Sequence, residues 1–123
     1  MKLVYLAVPY SHKDPAVEQY RFDTVNRVAA DLMKRGYAVF SPITQSVVLK
    51  QVGDLPKTWD YWKQIDTVFL KRCDILVVLM LDGWAQSVGV QAEIEIAKAN
   101  SIPIFYITAE NLNFHQTPER STP

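Results

Sequence analysis

One cysteine, two histidines and four glycines are all that 123 residues hold of these types, and each scarcity removes a class of chemistry. A single cysteine forms no internal disulfide, so a reducing, cytoplasmic setting is expected. His12 and His115 have no ligand spacing with each other or with Cys73, and no metal site is expected. The glycines build no G-x-G-x-x-G, Walker loop or nucleophile elbow, which argues against the common dinucleotide, triphosphate and serine-hydrolase chemistries; no cofactor is expected. Charge of one sign is also missing. Thirteen basic and 13 acidic residues leave no net charge to draw in a nucleic-acid polymer or an anionic membrane. No apolar run approaches the ~20 residues of a membrane span, and the N-terminus lacks the layout of a secretory signal.

What is present fits one domain with one core. Hydrophobic residues make up 49% of the chain and charged residues 21%, the balance of a globular protein. Lys2 to Val8 reads as a first strand that ends at Pro9, which cannot donate to a sheet ladder. Asp14-Pro15 starts a helix, since Asp14 can cap free N–H groups and Pro15 has its φ already set. Val17, Val25, Val28, Ala29 and Leu32 follow at helical spacing, and Gly36 can end the helix. Tyr37 to Phe40 is a second short strand, so a right-handed parallel crossover is expected. From Ile43 to Pro56 the pattern weakens, and a loop or short helical pieces are expected. Thr58 to Arg72 returns to helical spacing, with Trp59, Trp62, Ile65, Phe69 and Leu70 on a broad apolar face, and Trp59 and Trp62 are assigned to the core. Asp74 to Met80 is a third strand, Ser87 to Asn100 a helix, and Ile102 to Ile107 a fourth strand whose Pro103 suits an edge. The domain is expected over residues 1–107, with a polar tail over 108–123 that is irregular or partly ordered by a neighbour.

The stretch from Leu81 to Glu93 has the form of an active-site corner. It follows a continuously apolar, β-branched run, as in a strand buried on both faces of a parallel sheet. Ligands of such sheets bind outside the carboxyl ends of the strands. With Ser87 as the helix cap, Gly89 and Val90 fall in the first turn, where free N–H groups and the positive dipole end favour an anion. Glu93 then lies about 6 Å further along the same face, at ~1.5 Å per residue. The plainer reading makes Ser87 only a cap and Glu93 a solvated helix residue. Asp82 follows the third strand directly and is expected at the same crevice. Asp66 sits in an otherwise apolar helix, so it either faces solvent or is held toward a pocket, where burial would raise its pKa enough to hold a proton. Tyr5 and Tyr10, on and at the tip of the first strand, are placed either to pack or to meet a ligand. Trp84, between Gly83 and Ala85, is a ligand contact or an interface anchor.

Three segments in this order resemble the nucleoside 2-deoxyribosyltransferase-like superfamily, which includes small 2'-deoxynucleoside 5'-monophosphate N-glycosidases. They are Tyr5-Leu6-Ala7-Val8-Pro9-Tyr10-Ser11, Asp66 ahead of Cys73-Asp74-Ile75-Leu76-Val77-Val78, and Ser87-x-Gly89-Val90-x-x-Glu93. Within the superfamily the chain looks closest to small bacterial members filed as domains of unknown function. The resemblance implies an α/β fold, a single-domain doubly wound parallel sheet of flavodoxin-like or Rossmann-like three-layer α-β-α form, with about four strands in order 2-1-3-4. It also implies roles. Glu93 would be the nucleophile at C1' of a deoxyribose, giving a covalent glycosyl-enzyme. Tyr5 would hold the Glu93 carboxylate, and Asp66 would handle the proton on the departing base or attacking water. Ser87 would stand near a 5'-phosphate, with Gly89, Asp82, Trp84, Tyr10 and Ser11 as substrate contacts. At the strand tip this chain has Val8, Pro9, Tyr10 and Ser11 where the glycosidases carry glycine, serine and arginine; Lys13 or Arg21 could supply the missing charge, although neither matches that arginine by position. The function implied is N-glycosidic cleavage or deoxyribosyl transfer on a nucleoside or its 5'-monophosphate. The alternatives are a non-catalytic nucleotide-type binder that keeps the pocket, and an interaction module. By analogy a homodimer or higher oligomer is expected, with Asn111 or Asn113 reaching a neighbouring site.

Overall fold

In the computed structural model, which describes residues 1–118, the elements alternate as strand and helix. They are β1 (Leu3–Ala7), α1 (Pro15–Lys34), β2 (Ala38–Phe40), α2 (Pro42–Gly53), α3 (Trp59–Leu70), β3 (Ile75–Leu79), α4 (Val88–Ala99) and β4 (Ile104–Ile107), with a short 3-10 turn at Trp84–Gln86. The four strands form one parallel sheet in the order β2-β1-β3-β4, as the resemblance implies.

All five residues of β3 are buried, and alternation along the strands explains why. Val4 and Leu6 of β1 with Ile75, Val77 and Leu79 of β3 pack on Val25, Val28, Ala29 and Leu32 of α1. Tyr5, Ala7, Leu76 and Val78 point to the other face and meet Leu70 of α3 and Val90, Ile94 and Ala97 of α4. The sheet therefore lies between helices, and its core is two apolar layers.

Local signals set the boundaries. Asp14 caps α1, its Oδ1 accepting from the Ala16 N–H at 2.9 Å, and Pro15 takes the first helical position. Arg35 closes α1, and Gly36 at φ 97° turns the chain into β2. Over the stretch from Ile43 to Pro56, where a loop or short helical pieces are expected, residues 42–53 form the single helix α2. Pro42 starts it, and Asp54, left-handed at φ 53°, ends it. Its inward residues are Pro42, Ser46 and Lys50, spaced by one helical turn, and they border a cavity rather than the core. No apolar stripe marks such a helix, so hydrophobic periodicity misses it.

Beyond β4 the chain returns along the sheet edge. Tyr106 and His115 form an antiparallel bridge, the Tyr106 N–H donating to the His115 carbonyl at 2.7 Å. Ala109, Leu112 and Phe114 pack against the α1-side core, so this part of the tail is ordered by its own sheet. The end of the expected tail, residues 119–123, lies outside the described residues. Among the described residues no helix is long and apolar enough to cross a membrane.

Candidate active site

Just past the carboxyl ends of β1, β2 and β3 the chain encloses a cavity of 460 Å³, within the range of small-molecule sites. Val8, Pro9, Tyr10 and Ser11 of the β1 tip form one wall, and Pro42, Ser46 and Lys50 of α2 another. Trp59, Trp62 and Asp66 come from α3, and Gly83, Ser87, Gly89 and Glu93 from the corner and α4.

Glu93 is 5% exposed, and Tyr5 behind it is fully buried. The Tyr5 hydroxyl donates to Glu93 Oε2, so one carboxyl oxygen is held and the group's orientation is set. Burial pushes the Glu93 pKa up to about 8, the Tyr5 bond opposing the rise and the Asp66 charge adding to it. Asp66 is 8% exposed, and burial raises it to about 6, with the Lys50 ammonium acting the other way. Tyr5 is driven well above its usual value by burial and then by the Glu93 charge, so it remains a donor. The outcome is two carboxyl groups in one pocket with pKa values pushed apart, a pattern associated with acid and base work.

The α4 N-terminus forms the cavity's anion-friendly end. Ser87 is the N-cap, its Oγ accepting from the Val90 N–H at 3.2 Å. Val88 and Gly89 border the cavity with first-turn N–H groups that the helix itself does not satisfy. Arg21 adds a cation here. Its guanidinium donates to the carbonyls of Tyr10 and Ser11 at 3.2 and 3.1 Å, and to that of Asp82 at 2.8 Å. Among the described residues the ion pairs are Lys34 with Asp31 and Lys98 with Glu95, so the buried Arg21 charge faces carbonyls and cavity rather than a carboxylate. Gly83 makes room for it: at φ 89°, a Cβ there would stand 2.9 Å from Arg21 Nη2.

The cavity also has aromatic walls, and Trp59 lies against Gly89 of the α4 first turn. Lys50 Nζ lies 5.2 Å from the Tyr10 ring centroid and 6.0 Å from that of Trp62. The Trp62 indole N–H donates to the Pro56 carbonyl at 2.7 Å, which fixes the ring and ties α3 to the loop before it. Burial lowers the Lys50 pKa; the Glu18 charge opposes this, the neighbouring Lys57 charge adds to it, and Asp66 opposes it more weakly.

The structure gathers Glu93, Asp66, Ser87, Gly89, Tyr10 and Ser11 at the cavity, with Tyr5 joined through Glu93. Asp82 and Trp84 are not among the lining residues. The Asp82 side chain is exposed and its carbonyl serves Arg21, while Trp84 packs on Tyr106 with ring centroids 5.8 Å apart. Of the two tryptophans assigned to the core on apolar spacing, Trp62 is buried as expected and Trp59 is partly exposed, and both also line the cavity. Lys50 and Lys57 were missed. An apolar pattern does not report polar residues that face a pocket, although Ser46 and Lys50 repeat at helical spacing. Of the two candidates for the missing charge, Arg21 is the one at the cavity, and it sits on the face of α1 that carries Thr24, Val25 and Val28 into the interior. Asn111 and Asn113 are exposed, and Asn111 Oδ1 accepts from the Asn113 N–H. Among the described residues no group of three or more His, Cys, Asp or Glu is placed to hold a metal.

The family profile described as "Domain of unknown function (DUF1937)" matches residues 2–109. No curated protein matches the chain in sequence. The fold is similar to that of a solved 2-deoxyribosyltransferase from the psychrotolerant bacterium Bacillus psychrosaccharolyticus, with a TM-score of 0.55. At 19% identity, over 86% of this chain and 72% of that one, the likeness is one of fold.

Proposed function

The chain belongs to the DUF1937 family, a description that assigns no activity, and from the geometry of its site we propose that it cleaves the N-glycosidic bond of a nucleoside 5'-monophosphate. The observation that carries this reading is the buried Glu93 carboxyl, held by Tyr5 and set beside Asp66 at the wall of a ligand-sized cavity. The fold shared with a 2-deoxyribosyltransferase supports a sugar as the reacting partner.

Chemistry follows from the two carboxyl groups. Near neutral pH they hold one proton between them, chiefly on Glu93. Moving that proton to Asp66 costs about two pKa units, or ~3 kcal/mol, and creates nucleophile and acid together. The Glu93 carboxylate then attacks C1', and the C1'–N bond breaks with its electron pair passing to the base. Asp66 gives its proton to the departing base nitrogen. In the second half Asp66 takes a proton from water, whose oxygen attacks C1' and frees Glu93. Attack by a second base instead of water would make the reaction a transfer.

Phosphate recognition falls to Arg21, Ser11, Ser87 and the first-turn N–H groups of α4, one helical turn from Glu93. Arg21 reaches the strand tip from α1 and so supplies a charge the tip itself lacks. The test is base release from paired nucleosides and 5'-monophosphates, read by chromatography. Monophosphates are expected to be preferred, and Arg21→Met to remove that preference; equal rates on both would overturn the phosphate assignment.

A second reading has its own observation. Glu93, raised to about 8, is mostly neutral at pH 7, and a neutral acid is a hydrogen-bond partner rather than a nucleophile. A binder of this kind would show saturable nucleotide binding with no base released.

A further inference from the structure

On the reading of the cavity as a nucleotide site, we propose that Lys50 reads the base, its ammonium donating to a ring carbonyl oxygen, so that 6-oxo purines are selected over the 6-amino purine. Lys50 is placed for this. It comes from the inward face of α2 and is half-buried at the cavity wall, between the rings of Tyr10 and Trp62. The two rings face its ammonium head but accept no conventional hydrogen bond. Among the described residues its three N–H groups meet no carboxylate within ion-pair distance. The rings of Trp62 and of Trp59, the latter lying against Gly89, offer surfaces to a flat heterocycle, and in the proposed mechanism Asp66 on the same helix serves the base nitrogen. Arg21 and the α4 N-terminus provide for an anionic group beside Gly83, whereas Lys50, with Lys57 on the same cavity lining, stands among the aromatic rings; the nucleoside arm of the test below separates a base contact from a phosphate contact.

A carbonyl oxygen and an exocyclic amine differ as partners for an ammonium. The oxygen accepts from it, while the amine of adenine presents N–H groups to N–H groups and leaves the buried charge unsatisfied. The effect grows during reaction. As the C1'–N bond breaks, its electron pair passes into the ring and in part onto that oxygen, where Lys50, keeping all its protons, meets the developing charge. Selectivity is therefore expected in kcat as well as in KM.

The test compares 2'-deoxyinosine and 2'-deoxyadenosine 5'-monophosphates, which differ at the 6-position, by kcat/KM on the unaltered protein, Lys50→Met and Lys50→Arg. The oxo substrate is expected to be favoured about tenfold or more, the scale of a hydrogen bond to a charged group. Lys50→Met, which keeps a stem over the rings, is expected to bring the two within about threefold, and Lys50→Arg to keep most of the preference. Equal values in the unaltered protein, or a preference that survives Lys50→Met, would overturn the proposal. So would an equal loss on both monophosphates that spares the nucleosides, since Lys50 would then be holding phosphate. If neither nucleotide is cleaved, it is the catalytic reading that fails. Dissociation constants for the same two nucleotides then decide the role of Lys50 by the same criteria.

Discussion

The Tyr5 hydroxyl on β1 donates a hydrogen bond to the Glu93 carboxyl on α4, joining two buried groups 88 positions apart in the chain. Two side chains of opposite hydrogen-bonding character are thereby kept together away from water, and the bond favours the ionised form of the acid. Without it, burial and the neighbouring Asp66 would act on Glu93 unopposed.

Tyr5→Phe isolates that bond. The ring still packs on Phe40, whose centroid is 5.6 Å away, so the fold is expected to hold. Glu93 loses the donor that stabilises its charge and shifts to still higher pKa. A fall in kcat of about 10- to 100-fold is expected, with KM little changed, consistent with losing a hydrogen bond to a charged group. Steady-state kinetics of the purified variant provide the check.

The same pair dictates a pH profile. Cleavage needs Glu93 ionised and Asp66 protonated, and the two titrate near about 8 and about 6. With the acid and nucleophile in that reversed order, kcat/KM is expected to be bell-shaped, with limbs near those values and a maximum between them. A profile flat from pH 5 to 9 would remove both groups from the proton bookkeeping of the reaction.

Stability should move in the opposite sense to ordinary acid denaturation. Glu93 rises from 4.5 to about 8 on folding and Asp66 from 3.8 to about 6, so between these values the folded chain binds more protons than the unfolded one. Their contribution is full below pH about 4 and is lost as pH climbs through about 6 and then 8, a change on the order of a few kcal/mol. Glu93→Gln removes the larger part of that slope. Urea titrations from pH 4 to 9 should show the variant gaining on the natural protein as pH rises.

How much of this could be read from residues alone depends on what each element faces. β3 and α1 bury apolar stripes, and their periodicity shows in Ile75–Leu79 and in Val25, Val28 and Leu32. The Ser87 cap with Glu93 six positions on was equally legible, because capping and helical spacing are local properties. α2 was not, since it turns Ser46 and Lys50 toward a cavity, and apolar spacing places Trp62 inside without distinguishing a core from a pocket wall. Arg21 needed the fold: nothing near it in sequence predicts that its guanidinium reaches the carbonyl of Asp82, 61 positions away.

Gly83 carries the link between those segments. Its positive φ already disfavours any side chain, and a Cβ would meet Arg21 Nη2 at 2.9 Å. Gly83→Ala is expected to destabilise the protein by about 1–3 kcal/mol and to displace Arg21. Chemical denaturation measures the first effect, and a rise in KM for monophosphates with nucleosides spared measures the second.

Glu93→Gln, assayed for both cleavage and binding on the same 5'-monophosphate, addresses the nucleophile most directly. Gln keeps the size of the side chain and an acceptor for Tyr5 but has no carboxylate to attack C1'. Base release is expected to fall at least about a thousandfold while the dissociation constant stays within several-fold, as for an interaction made chiefly in the transition state. Full turnover by Glu93→Gln would contradict the account, and the reacting group would have to be sought elsewhere in the cavity.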